Sequence, residues 1–161
     1  MDVHVLQANG GNLPSIISLA VHAALKKIKL PCVTLYETSG GVSLEVDPRK
    51  AFGKPVDWSR LPVLAVMLVS PTRHYVVDPT LPEELALPQQ LHVAVNAAGQ
   101  VCHTRFQQLP SRRGNVWRLG GQQQQPPSGM NMPDFAAMLH DAPYICQAMI
   151  SECDEALQKG E

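Results

Sequence analysis

Residues 62–70 read PVLAVMLVS, a continuous apolar stretch that decides the fold of this chain. A run of this length, bounded by proline and serine, has the size of a strand rather than of a helix. Because no polar residue interrupts it, the pattern indicates a strand that is buried on both faces. We therefore expect residues 62–70 to form a strand in the protein interior.

Three further strand patterns follow this apolar run along the chain. Residues 73–77 form a hairpin partner, and residues 91–96 alternate apolar with polar side chains before a second short turn into residues 101–106. Residues 78–84 contain two prolines and three carboxylates, which predicts a turn-rich acidic loop. The four strands are predicted to make an antiparallel meander.

The chain beyond these strands divides into an insertion and a long helix. Residues 108–132 contain four consecutive glutamines and the pair Pro126-Pro127, a composition that predicts a flexible insertion. Residues 133–159 repeat apolar side chains at helical spacing. Pro143 lies inside that pattern, so we expect it to kink the helix or to split it in two.

On the other side of the apolar run, the N-terminal part has its own pattern. Residues 3–6 predict a short strand, residues 9–12 a sharp turn, and residues 13–27 a helix that Asn12 caps. Residues 33–37 and 42–46 predict a hairpin around the turn Thr38-Ser39-Gly40-Gly41.

The order of these elements predicts a mixed α/β fold of the α+β type, with a largely antiparallel sheet and two main helices. We divide it into residues 1–60, which hold the first strand, the turn, the helix and the hairpin, and residues 61–161, which hold the meander, the insertion and the last helix.

Composition excludes several classes of protein. Hydrophobic residues make up 45% and charged residues 17% of 161 residues, which is typical of a folded domain rather than a disordered chain. The formal net charge is −1, so no overall basicity points to nucleic acid, and any RNA contact needs a local patch or a partner chain. The four cysteines form no CxxC pair, and the chain has no apolar segment long enough for a membrane span. We expect no metal, no cofactor and no membrane partner.

Three motifs in order resemble the RNase PH-like subunits of the RNA exosome. They are the helix that opens with Gly11-Asn12-Leu13, the segment from Val76 through Asp78-Pro79-Thr80 to Glu84, and the strand pair around Ala98-Gly99. The final helix is similar as well, and the resemblance covers about residues 1–110 plus that helix, the C-terminal half of the family's fold. It implies a partial RNase PH-like fold. The ribosomal RNA-processing proteins forty-two and forty-three both fit, and the motifs leave the two types open.

The resemblance also implies that this chain is a non-catalytic ring subunit. Active members of the family hold phosphate at a Gly-Gly turn followed by a hydroxyl and a cation, because backbone N–H groups at a helix N-terminus bind anions. Here Gly10-Gly11 is followed by Asn12, Leu13 and Pro14, which supply neither group. The family's paired carboxylates correspond to Asp78 and Glu84, so we regard both as degenerate catalytic positions.

Each candidate site also has a simpler interpretation. The Gly10-Gly11-Asn12 turn is a phosphate or RNA contact in one interpretation and an ordinary tight turn in the other. Asp78, Glu83 and Glu84 form a metal site or, as we favour, a solvated acidic turn.

Two groups of basic residues are candidates for RNA contact. Arg112, Arg113 and Arg118 in the insertion are the better ones, since phosphate contacts tolerate flexibility, and an inert loop is the alternative. Lys26, Lys27 and Lys29 at the end of the first helix are favoured as a solvated helix end.

Three hypotheses for function follow. The first is a structural ring subunit of the exosome in the nucleus, nucleolus and cytoplasm, whose partners are RNase PH-like ring subunits, cap subunits and single-stranded RNA. It would support 3′-to-5′ RNA processing and degradation without catalysis. The second is an active phosphorolytic 3′-to-5′ exoribonuclease, and the third is a binding module of unrelated function.

Overall fold

A four-stranded antiparallel sheet, in the spatial order β4-β3-β5-β6, carries the core of the chain. The computed structural model describes residues 2–8, 10–28, 31–47, 57–70, 74–108 and 129–159. The helices are α1 (Leu13–Lys27), α2 (Leu81–Ala86) and α3 (Met132–Lys159), and the strands are β1 (Cys32–Thr38), β2 (Gly41–Asp47), β3 (Val63–Val69), β4 (Tyr75–Val77), β5 (Gln89–Val95) and β6 (Val101–Gln108). The predicted mixed α/β fold with antiparallel sheets is confirmed.

The apolar run at residues 62–70 forms β3, and it is buried as predicted. Val63, Met67 and Leu68 have no exposed surface, and β3 pairs with β4 on one side and with β5 on the other. A strand with a neighbour on each side and helices packed on it needs apolar side chains in both directions, which explains the uninterrupted pattern.

The strand order differs from the predicted meander. β5 pairs with β3, from Val63 opposite Val95 to Leu68 opposite Gln90, instead of with β4. The chain reaches β5 through α2, which was predicted to be part of an acidic loop. The sequence Thr80-Leu-Pro-Glu83 is the reason: the Glu83 carboxylate accepts the Thr80 N–H at 2.7 Å, which closes a capping box and starts a short helix.

Helix α3 covers one face of the sheet. Its buried residues recur every four positions and pack against alternate side chains of β3 and β5. Pro143 lies within this helix without splitting it, so the split into two helices was wrong. The packing of Met138 and Ala142 on one side of Pro143 and of Cys146 and Ile150 on the other explains why the helix stays continuous.

Helix α1 packs on β3 and α3 through an unexpected choice of residues. Its fully buried side chains are Ser15 and His22, whereas Ile16 is 53% exposed. The Ser15 hydroxyl accepts the Val66 N–H at 3.1 Å and the Ser18 hydroxyl accepts the Leu64 N–H at 2.9 Å. The two serines therefore satisfy backbone donors of β3 where β4 is too short to pair with it.

Strands β1 and β2 form the predicted hairpin, in full register from Cys32 opposite Asp47 to Thr38 opposite Gly41.

The predicted strand at residues 3–6 was wrong: residues 2–8 are exposed and pair with no strand among the described residues. No described helix is long and apolar enough to cross a membrane. The division at residue 60 stays a prediction.

Candidate functional site

The N-terminus of α1, the end of β4 and the first turn of α2 meet at one point. The backbone N–H of Asn12 donates to Glu84 Oε1 at 2.6 Å, and the Asn12 amide nitrogen donates to Asp78 Oδ1 at 3.0 Å. The structure thus brings together Gly11, Asn12, Asp78 and Glu84 from two motifs, and the two hydrogen bonds of Asn12 span 72 and 66 positions of the sequence.

The approach of the two segments requires a glycine at position 11. A Cβ atom on Gly11 would lie 2.0 Å from the Pro79 carbonyl oxygen and 2.6 Å from the Thr80 carbonyl carbon. Gly10 has open space around it, with nothing within 4 Å of a Cβ. The Gly-Gly turn is therefore asymmetric: Gly11 permits the contact with the loop after β4, and Gly10 does not take part in it.

Asn12 has a different role from the one predicted. It is the N-cap residue of α1, but its φ of 56° is left-handed and its side chain makes no hydrogen bond to the helix. Asn and Asp adopt this backbone region more readily than other residues with side chains, and Asp78 adopts it too, with a φ of 54°. The Asn12 side-chain amide donates a hydrogen bond to the Asp78 carboxylate and so links the two turns.

The electrostatics of the site are set by carboxylates. Helix α1 has no acidic residue in its first turn, although its N-terminus carries a partial positive charge. Glu84, supplied by α2, takes that place and accepts a backbone N–H that α1 cannot use internally. Glu83 is occupied elsewhere, because its carboxylate accepts hydrogen bonds from the Thr80 backbone N–H and from the Thr80 hydroxyl. These hydrogen bonds lower the pKa of the Glu83 carboxyl.

The three acidic residues of the predicted loop therefore do not act together. Asp78 and Glu84 bind Asn12, while Glu83 caps α2. Among the described residues no three His, Cys, Asp or Glu side chains lie in an arrangement that would hold a metal ion. One buried acceptor, Asn12 Oδ1, has no hydrogen-bond partner among the described residues.

The residues that follow Asn12 limit the chemistry of this site. The next two residues, Leu13 and Pro14, supply no hydroxyl or cation, and the first hydroxyl of the helix, on Ser15, is buried against β3. The sequence pattern alone did not reveal the role of Ser15 and Ser18. Two serines three positions apart in an otherwise apolar helix were the available signal, since i and i+3 share a helix face.

The candidate lysines and the buried histidine lie at a different place, between α1 and α3. Lys26 forms a salt bridge with Asp154, and Lys27 donates to the Leu157 carbonyl at 3.3 Å, so neither is simply a solvated helix end. His22 is 1% exposed, and its Nε2 lies 3.8 Å from Asp154 Oδ1. Burial, and then the neighbouring Lys26, lower the pKa of His22. Lys29, Arg112, Arg113 and Arg118 lie outside the described residues.

The mixed α/β fold with antiparallel sheets is consistent with the partial RNase PH-like fold that the resemblance implies. No family model matches the sequence. The chain is similar to exosome complex component Rrp42 of Pyrococcus horikoshii, with 34% identity over 101 residues that cover 63% of this chain and 34% of the relative. It is also similar to exosome complex component Rrp42 of Pyrococcus furiosus, with 30% identity over 101 residues and the same coverage, 63% and 34%.

These two similarities confirm the resemblance to RNase PH-like exosome ring subunits that the motifs predicted. Both relatives carry the number forty-two, one of the two types that the motifs left open. The chain spans about a third of the length of the curated relatives it matches.

Proposed function

We propose that this chain is a non-catalytic ring subunit of an RNA exosome. The similarity to two archaeal Rrp42 proteins supports the exosome assignment. The contact between Glu84 Oε1 and the Asn12 N–H, at 2.6 Å, supports the non-catalytic role. In this proposal the chain works by assembling with RNase PH-like neighbours and cap subunits, and a nuclease elsewhere in the complex cleaves the RNA.

The charge at the turn before α1 is the physical reason for the non-catalytic role. A phosphorolytic enzyme must hold inorganic phosphate, and backbone N–H groups at a helix N-terminus are suited to bind it. Here the Glu84 carboxylate already accepts a hydrogen bond from the Asn12 backbone N–H, and the Asp78 carboxylate accepts one from the Asn12 side-chain amide. Two negative groups repel a phosphate anion, and no cation at residues 13 or 14 offsets the repulsion.

The alternative function, an active phosphorolytic exoribonuclease, is favoured by one observation. Asp78 and Glu84 both accept hydrogen bonds from Asn12, so their carboxylates lie close to each other. A pair of carboxylates that organises an RNA end would need to be close in this way. The ring proposal explains the same contact as a structural link between α1 and α2, and it also accounts for the missing cation.

The discriminating experiment is a phosphorolysis assay on the assembled ring with single-stranded RNA and excess inorganic phosphate. We expect that Asp78→Ala leaves the rate of nucleoside diphosphate release unchanged, as does the control Glu155→Gln at a carboxylate on α3 that is 58% exposed. Phosphate-dependent release that disappears in Asp78→Ala, and persists in the control, would overturn the proposal in favour of the enzyme.

A binding experiment tests the effect of the two carboxylates directly. We expect the Asn12 amide signal in an NMR spectrum to stay in place when phosphate is added to the native chain. Phosphate seated beside Gly11 and Asn12, with Asp78 close to it, would contradict the proposed role. A purification of the tagged chain that brings no exosome subunits would favour a binding module of unrelated function.

RNA guidance is the second part of the proposal, and it takes Arg112 and Arg113 as the residues that bind RNA phosphates. Removal of one phosphate-binding side chain is expected to reduce the salt dependence of RNA binding by about one unit of slope. Arg112→Ala/Arg113→Ala should therefore weaken RNA binding by the ring and flatten its salt dependence.

We propose that the complex is in the nucleus, including the nucleolus, and in the cytoplasm. Imaging of the tagged protein in cells tests this location.

A further inference from the structure

The face of the four-stranded sheet opposite α3 carries three basic side chains on two neighbouring strands. His92 of β5 lies opposite Arg105 of β6, and Ala94 of β5 lies opposite His103 of β6. Side chains alternate across a strand, so these four residues share one face, whereas Val93 belongs to the core beneath α3. The small side chain of Ala94 therefore leaves a shallow depression that three basic residues border.

The part of the sequence that forms this face contains no acidic residue. Residues 85–133 hold no aspartate or glutamate, although the whole chain has a net charge of −1. The residues that pair with His92 from the neighbouring strands are Val66 of β3 and Arg105 of β6. Because like charges that face each other across strands are destabilising, this group of basic residues is unfavourable unless an anion joins it.

Two histidines of this chain differ in the charges around them. His22 lies 3.8 Å from the carboxylate of Asp154. His92 is half-buried, and its pKa is lowered by burial and then by Arg105 and His103, with no described carboxylate to oppose these effects. An anion beside His92 would favour the charged form of its ring, so the anion would bind together with a proton.

The buried Gln90 side chain orients the His92 ring. Gln90 is 7% exposed, and its Oε1 lies 3.2 Å from His92 Nε2. When Nε2 donates its proton to this oxygen, Nδ1 is the ring atom that gains a proton in the charged form. His103 and Arg105 lie on the exposed strand β6, and a guanidinium group binds two oxygens of one phosphate at once.

We propose that His92, His103 and Arg105 form a binding site for a phosphate group with two negative charges, either free phosphate or a terminal phosphate monoester. The three donors border one small depression, which suits a compact and highly charged group. A phosphodiester carries a single negative charge, so the site discriminates against the backbone of RNA. None of these residues belongs to the turn before α1, and the inference does not depend on the proposed ring function.

A phosphate titration of the full chain, followed by NMR at constant ionic strength with chloride as the balancing anion, tests the site. We expect the ring signals of His92 and His103 to shift and saturate while the Asn12 amide signal stays in place. Histidine shifts that chloride alone reproduces would overturn the inference. If the histidine and Asn12 signals all stay in place, the inference fails and the ring function stands. If phosphate shifts Asn12 alone, both fail.

A substitution at Arg105 separates a specific site from a general effect of charge. Arg105→Gln removes the paired donors at an exposed position, so the variant should melt with the native chain. We expect it to weaken phosphate binding at least tenfold. The control Lys159→Gln removes one positive charge from the end of α3, where Lys159 is 80% exposed, and should leave the affinity unchanged. Equal losses in the two variants would overturn the site.

Three ligands identify the source of the phosphate group. They are inorganic phosphate, a nucleoside 5′-monophosphate, and a dinucleoside whose single phosphate is the internal diester. We expect the diester to bind at least tenfold more weakly than the other two, and the tighter of those two identifies the source. A diester that binds as tightly as the monoester would overturn the inference in favour of contacts with an RNA backbone.

Discussion

The sheet built on β3 and the hairpin of β1 and β2 have similar sequences and opposite environments. Both are antiparallel, and both carry a row of Val and Leu side chains. Leu91 in β5 has no exposed surface, whereas Leu44 in β2 is 61% exposed. The difference comes from α3 and α1, which cover the larger sheet, while no described helix packs extensively on the hairpin. Apolar alternation thus indicates that a face needs covering, and it does not show what covers it.

The largest expected effect is a direct test of this contrast. Leu91→Ala should lower the free energy of unfolding by about 2–5 kcal/mol, because it leaves a cavity beneath α3. Leu44→Ala, the matched change in the hairpin, should cost about 0.5 kcal/mol or less at its exposed position. Urea unfolding of the isolated chain measures both. Equal losses would mean that the hairpin is part of the same core.

The second prediction concerns the contact between the turn before α1 and the loop after β4. Gly11→Ala should destabilise the chain by about 1–3 kcal/mol, since the new Cβ would clash with the Pro79 carbonyl and force the backbone apart. Gly10→Ala has open space and should change stability by no more than about 0.5 kcal/mol. Thermal melting of both variants checks this, and similar losses in both would contradict the close approach.

The third prediction uses pH to separate the two regions. The pKa of His22 is lowered by its burial between α1 and α3 and by Lys26, so the unfolded chain binds a proton that the folded chain does not. The stability should therefore be full above pH 6.5 and should fall as the pH drops through and below that value. His22→Gln should flatten this dependence.

Near pH 6.5, His92 contributes to the pH dependence that remains in His22→Gln, because its pKa is also lowered by burial and then by Arg105 and His103. Amide hydrogen exchange resolves the regions: α1 and α3 should lose protection on acidification, and the exchange of the hairpin should not follow them. A pH profile of stability that is identical in His22→Gln and the native chain would contradict the role of His22.

The smallest expected effect concerns a tyrosine in each region. Tyr75 of β4 donates its hydroxyl hydrogen bond to Asp141 of α3, which raises the pKa of Tyr75 to about 12. Tyr75→Phe should cost about 1 kcal/mol or less and should remove the most alkaline step in a tyrosine absorbance titration. Tyr36→Phe in the hairpin serves as the control and should leave that step in place.

The elements with strong patterns were predictable because their residues carry the signal. The run at residues 62–70 forms β3, and the strands predicted at residues 33–37 and 42–46 form the hairpin of β1 and β2. The strand order was not predictable, since the pairing of β5 with β3 depends on where α2 takes the chain. The capping box of Thr80 and Glu83 was the available signal for α2, although the prolines and carboxylates around it predicted a loop.

The site divides in the same way. The sequence supplied Gly11, Asn12, Asp78 and Glu84 as candidates, but their contacts join residues that are far apart in the chain. The partner of Asn12 was predicted to be its own helix, and the structure gives it Asp78 and Glu84 of other elements. Local propensity describes a residue and its neighbours, and a hydrogen bond across sixty or more positions lies outside it.

The sequence by itself determined the strands with strong apolar patterns, such as β3, and the buried face of α3, because hydrophobic periodicity depends only on neighbouring residues. The tertiary structure alone decided which apolar faces are covered in this chain and that Glu84 occupies the N–H at the start of α1. Both outcomes depend on how distant segments pack together, and packing is a property of the whole fold rather than of any stretch within it.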